Sequence, residues 1–286
     1  MKADTPFHAS GRQPALDGRR PGIFQLKIST LRLIQGVEEM SKSRATLIHF
    51  WPSALLLIVI GCLIAFAWYP YPFLQFNDTA KFPLMMIVIA GLIGPALTGL
   101  VYKKDKRGLA FDLSVIIIIQ LAAVVWGTMA LYQNRPYFMV FTVERFDVLS
   151  IRDVDPSTIS DPRFLDKPFA GPIMLYANIP TGDAFQKLLK EVMLEGKPDL
   201  QYRPEFWSLY HEKQDQVIKP SKPLSELRIM RPESVSEIDK LVQKHGGNIS
   251  KLNFVPAQHQ NGQFAAILGV DSGEIIDTLV VNPWID

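Results

Sequence analysis

The chain has 286 residues, with 30 Lys and Arg set against 28 Asp and Glu. A net charge of +2 gives no reason to expect a nucleic-acid partner, and a single cysteine excludes a disulfide framework. The length suits two soluble domains or one domain with a membrane anchor, and a mean hydropathy of +0.12, concentrated in three apolar runs, favours the second.

Residues 1–39 are Pro-, Gly- and Arg-rich at first and show no convincing helix face. At Met40 the sequence "MSKSRATLIHFWPSALLL" reads like a membrane-protein start: a Met, a few basic and small polar residues, then a span. Two readings stay open, translation from Met40 or a disordered tail over 1–39. The apolar runs lie at about 50–69, 82–102 and 109–132. Each has the roughly 20 apolar residues needed to cross a bilayer core of about 30 Å. The first run lacks a small-x-small cleavage site and begins far from the start, so it is expected to be an uncleaved span.

Charge sets the expected orientation. Residues 1–48 carry a net of four positive charges, and "KKDKR", 103–107, has four basic residues against one acidic. Residues 133–286 carry a net of four negative charges. Basic loops resist translocation. The tail 1–48 and the 103–107 loop are therefore expected in the cytoplasm, the loop 70–81 and residues 133–286 in the periplasm.

Along the first span, Trp68 and Tyr69 suit the interface, and Pro70 and Pro72 stop the helix. In the second span Gly91, Pro95 and Gly99 recur every four residues, with Gly94 and Thr98 beside them. Such a small-residue face allows close helix packing, either against the protein's own spans or with a partner's membrane helix. In the third span Asp112 falls in the first turn, where it favours the helix dipole and reaches the basic loop. Gln120 lies deeper and is expected to bond across to a neighbouring helix.

After "QNRP" the sequence turns aromatic and β-branched, and "YFMVFTVERFDVLS", 137–150, predicts a strand joined to the third span almost without a linker. Further on, "GPIMLYANI" predicts a strand over 171–179 and "TGDAFQKLLKEVMLEG" a helix over 181–196. The segment 198–210 reads as an aromatic-rich connection. A second helix is predicted at about 233–245, and the remainder as strands with a turn at "GVDSGEI". The fold class expected is a membrane protein: three transmembrane helices over 49–132, then an exported mixed α+β domain over 133–286 with a largely antiparallel sheet.

Motifs of chemistry are missing. There is no Walker A, G-x-S-x-G or G-x-G-x-x-G pattern, and "HEKQD", 211–215, puts Asp215 where H-E-x-x-H needs its second His. His245 and His259 have no ligand at metal spacing and are expected to be exposed and non-catalytic. No cofactor, metal or enzymatic activity is expected. Tyr202, Arg203, Phe206, Trp207 and Tyr210 form an aromatic cluster that is either an interface anchor or a core-facing segment.

The stretch 94–148 carries a resemblance. Gly94-Pro95, the basic loop, Phe111-Asp112-Leu113, Gln120-Leu121-Ala122-Ala123, Arg135-Pro136 and "VFTVERFDV" are similar to the type IV pilin accessory proteins of the TfpX/TfpZ kind. "MSKSRATLIHFW" also fits that family, and "YRPEFW" is the best match in the exported domain. The resemblance implies an inner-membrane accessory or chaperone that acts on the major pilin, with the lipid bilayer as its other contact. It carries over no catalytic residue and says nothing of self-association. The alternative from another class is a membrane-anchored sensory or regulatory protein whose exported domain binds a ligand.

Overall fold

A computed structural model describes residues 41–76, 83–104, 106–260 and 262–284. The expectations for residues 1–39 and for Met40 lie outside these. Among the described residues, three helices are long and apolar enough to cross a membrane: α1, Lys42–Trp68; α2, Pro83–Val101; and α3, Leu109–Asn134. Helix α1 begins eight residues before the apolar run, where the Ser41 hydroxyl accepts from the Arg44 N–H. Gly108, at φ 82°, turns the chain into α3 through a left-handed conformation that only glycine adopts freely. Pro136 ends α3, and the first strand starts at Phe138.

The C-terminal domain follows in chain order: β1 (Phe138–Thr142), β2 (Arg145–Leu149), β3 (Ile173–Ala177), α4 (Asp183–Glu195), β4 (Trp207–Leu209), α5 (Gln214–Ile218), β5 (Lys222–Pro223), α6 (Leu224–Met230), α7 (Val235–Lys244), β6 (Leu252–His259), β7 (Gly262–Gly269) and β8 (Ile275–Leu279). The sheet order is β4-β3-β1-β2-β6-β7-β8, with β5 also on β6. Only β1/β3 and β2/β6 run parallel, so the sheet is mostly antiparallel, as expected.

The single strand expected over 137–150 is instead a hairpin. Thr142 pairs with Arg145, leaving Val143 and Glu144 as the turn, with Val143 at φ 53°. Two-residue hairpin turns normally carry Asn-Gly or Gly. A β-branched residue in the left-handed region costs roughly 1–2 kcal/mol, so the sequence gives no turn signal. Strand β4 and helices α5 and α6 were also not expected; all are short, and α5 and β4 sit beside segments rich in charge.

Both sheet faces are covered, which explains why β1 is apolar throughout rather than alternating. One face carries Phe138, Val140, Leu149, Phe254 and Ile267 and is covered by α4, α6 and α7. The opposite face carries Met139, Phe141, Phe146, Val255, Ala257 and Phe264. That face is continuous with buried residues of the helices, from Phe73 and Phe76 after α1 to Met86, Val124 and Leu131. Helices and sheet thus share one core. The Tyr69 hydroxyl ties the end of α1 to the Leu131 carbonyl of α3 at 2.9 Å.

Phe76 makes the seam. Its ring stacks on His259 with centroids 5.7 Å apart and tilts over Phe264 at 6.0 Å. It lies so flat on β7 that a Cβ at Gly262 would sit 1.9 Å from it. Phe76→Ala should therefore destabilise the full chain by about 3 kcal/mol. Gly262→Val should do similar damage by expelling the ring, and the double variant should unfold no more easily than the worse single one. Melting temperatures in a bilayer mimetic check this; additive losses would mean that the two positions do not act through one contact.

His259 is half-buried in this seam, not exposed as its sequence context suggests, and its Nδ1 has no partner among the described residues. Burial holds its pKa below the ordinary 6.5, partly opposed by Asp153. The unfolded chain thus takes up the proton first. Stability is full above pH 6.5 and falls as pH drops from there toward the folded-state pKa. Melting temperature followed over this range should show the fall in the native protein and a smaller one in His259→Leu.

Candidate functional site

Helix α2 packs against both α1 and α3. Between α1 and α3 an apolar groove of about 360 Å³ stays open. Ile48 and Leu56 line it from α1, Ala90 and Thr98 from α2, Ile117 and Leu121 from α3. The groove is not wholly apolar. His49 Nδ1 meets the Thr98 hydroxyl across α1 and α2, and Gln120 reaches into the same space from α3.

Backbone chemistry places Gln120. The middle of α2, Ile87–Ile93, is wound as a π-helix, in which each N–H bonds five residues back. The Gly94 N–H accordingly goes to the Ile89 carbonyl. The next carbonyl, that of Ala90, would need the N–H of residue 95, but this is proline and has none. Gln120 Nε2 supplies the missing donor, bonding the Ala90 oxygen at 3.1 Å. Gly94 makes room for it: a Cβ there would lie 1.5 Å from Gln120 Nε2. Gln120, Gly94 and Pro95 form one unit. Gln120 Oε1 is buried, and its polar neighbour is the His49 ring.

The rest of the small-residue face also points inward. A Cβ on Gly91 would meet Leu57 of α1 at 3.2 Å, and one on Gly99 would meet the Thr46 hydroxyl at 2.6 Å. Both glycines are thus turned toward the protein's own first span. Gly127 of α3, not singled out in the sequence, does the same for Met86 of α2, at 3.0 Å. Asp112 bonds Lys106 Nζ at 2.6 Å, within reach of the basic loop as expected.

In the C-terminal domain the aromatic segment is structural. Trp207 and Tyr210 are buried, with the Tyr210 hydroxyl donating to the Gly273 carbonyl at 2.6 Å. Arg203 is buried too, donating to Glu191 and to the Pro198 carbonyl, both at 2.7 Å; its hydrogen bond, followed by that from Lys197, holds the Glu191 carboxyl below its ordinary pKa. Tyr202 and Phe206 pack against the same cluster. The core-facing reading is thus the one observed. A buried carboxylate that sequence reasoning passed over, Asp147, accepts from Thr142, Arg145 and Gln258. His245, expected to be exposed, is partly buried and meets Asp277 at 2.8 Å. Among the described residues no cluster of His, Cys, Asp or Glu is placed to hold a metal ion.

Gln120→Leu should lower the stability of the helical part by about 0.6–2 kcal/mol, the range of a hydrogen bond between helices in lipid. In a Pro95→Ala background, which restores a backbone donor for Ala90, the same change should cost much less. Unfolding of the four variants in detergent or bilayer measures the coupling; equal losses in both backgrounds would mean that Gln120 does not stand in for the missing N–H.

No family model matches the chain, and no solved structure matches it. Fimbrial assembly proteins of Dichelobacter nodosus do. Those of serogroups I and E1 are each 28% identical over 214 residues, spanning 73% of this chain and 83% of the relative. That of serogroups C1 and C2 is 33% identical over 109 residues, 37% of this chain and 83% of the relative. By its similarity to them, the chain belongs to the family of fimbrial assembly proteins.

Proposed function

We propose that this protein is an inner-membrane accessory or chaperone of the TfpX/TfpZ kind that binds the major pilin and modulates type IV pilus assembly. The relatives' names support a role in fimbrial assembly. Charge supports the placement: the 103–107 loop in the cytoplasm, residues 133–286 in the periplasm. No catalysis and no cofactor enter this reading.

The observation that carries it is the open groove between α1 and α3. The glycine face is already occupied by the protein's own helices, so a membrane partner needs another seat. The groove presents apolar walls, small floor residues and a polar lining of His49, Thr98 and Gln120. An apolar helix bearing a hydroxyl or amide matches all three, its polar group bonding that lining where water is scarce. The second contact is the pilin's head against the C-terminal domain, which the shared core holds at a fixed angle to the helices. Two weak contacts on one rigid scaffold reinforce each other through effective concentration.

Photocrosslinkers placed at Ile117, in the groove, and at Ile118, one residue around α3 and outside it, test this in cells making pili. Capture of the major pilin from Ile117 and not from Ile118 is expected. Pilin captured equally from both would sink the groove as the seat. Pilin captured from neither position, nor from the C-terminal domain, would sink pilin binding altogether.

A further inference from the structure

The segment 165–171, "LDKPFAG", joins the hairpin to β3 and lies against the strand-side ends of α1 and α3. Two hydrogen bonds hold it there, and Lys167 braces it from within. The Gly171 N–H donates to the Ala67 carbonyl in the last turn of α1 at 3.3 Å. The Tyr137 hydroxyl donates to the Leu165 carbonyl at 3.1 Å. Lys167 Nζ closes the segment on itself, donating to the Gly171 carbonyl at 2.7 Å and to that of Pro168 at 3.2 Å.

What it presents is unusual for a water-facing loop. Phe169 is 81% exposed, the most exposed large apolar side chain among the described residues, and Leu165 is 48% exposed. Beside them stands an aromatic belt: Trp68 edge-on to Tyr132 at 5.1 Å, and Tyr137. Arg135 lies over the Tyr132 ring at 3.6 Å, 5.2 Å from that of Tyr137. Arg135 is 7% exposed, and its described bond is to the Tyr132 carbonyl. Neither Arg135 nor Lys167 has an ion pair with a carboxylate among the described residues. The two cations are close enough to feel each other: burial first, then Arg135, brings Lys167 down to about 8. An apolar ring, an aromatic belt and a lysine without a carboxylate ion pair, with Asp166 beside it in the sequence, match the layers of a bilayer edge: acyl chains, interface and headgroup. Phe66, next to Ala67 on α1, is exposed as well.

We propose that residues 165–171 dip into the leaflet around the strand-side ends of the helices, with Phe169 among acyl chains and Lys167, beside the buried Arg135, against phospholipid phosphates. The inference rests on α1–α3 crossing a bilayer, not on pilin binding. It makes the C-terminal domain a peripheral membrane module, docked by its own loop as well as by the chain that tethers it.

The full chain with Cys62→Ser, carrying a nitroxide at Phe66→Cys, Phe169→Cys or Met193→Cys, is placed in nanodiscs of phosphatidylethanolamine and phosphatidylglycerol. Spin relaxation by oxygen, concentrated in lipid, is compared with relaxation by a nickel chelate confined to water. All three positions are highly exposed, so the labels leave packing intact. The label at 169 should follow the one at 66, with oxygen dominant, while 193 on α4 should be nickel-dominated. A label at 169 that behaves like 193 while 66 stays in lipid overturns the proposal. Nickel dominance at 66 as well overturns the membrane reading and the proposal with it. Lys167→Gln keeps a donor for the Gly171 carbonyl and removes the charge. It should shift the 169 label toward water, and an unchanged label overturns the phosphate contact.

Discussion

One amide on one carbonyl governs the helical half of this molecule. The combination of a π-helical turn and Pro95 leaves the Ala90 oxygen without a backbone donor. Gln120 answers from the next helix. From that bond the rest follows. The helices must approach closely, so Gly94 cannot carry a side chain; α2 must lie between its neighbours, so α1 and α3 stay apart; and the separation leaves a groove that the other end of the same amide lines. A packing constraint and an open site are two ends of one side chain.

The second organising feature is that the apolar core ignores the boundary between helices and sheet. Phe73 and Phe76, carried on the segment after α1, are as much part of the sheet's core as Phe264. A domain tied to a helix bundle by a linker alone swings freely. One whose core includes residues from between the first two helices cannot, and the hydrogen bond from Gly171 to Ala67 adds a further tie. For a protein proposed to handle a partner with parts in lipid and in water, fixed geometry lets the two contacts act together.

Much of this was legible in the sequence, for identifiable reasons. The three spans are set by long apolar runs, the strongest signal a sequence has. Helices α4 and α7, each closed by a glycine, and the last three strands stood out through periodicity and turn chemistry. The β1–β2 hairpin did not, because its turn is built on Val143 in a conformation that valine disfavours. The aromatic segment 202–210 was ambiguous because aromatic residues mixed with charge describe interfaces and cores alike; the Arg203–Glu191 pair, twelve residues apart, decides for the core. The glycine pattern in α2 was visible, while its partner in the fold was not. No local spacing announces that Gly94 faces Gln120, or that the carbonyl between them is orphaned by Pro95.

The join between α3 and β1 has a mechanical meaning. Helix α3 runs 26 residues, about 39 Å at 1.5 Å per residue, while a bilayer's hydrocarbon core is about 30 Å thick. A helix of this length in a bilayer leans, and the lean grows as the surrounding lipid thins. Since Phe138 follows Asn134 by only a few residues and β1 lies inside the sheet, the lean of the helix is also the inclination of the domain. With α3 across a bilayer, as proposed above, lipid thickness and the direction in which the domain faces become a single variable, and a membrane of altered composition would reorient the domain without any ligand.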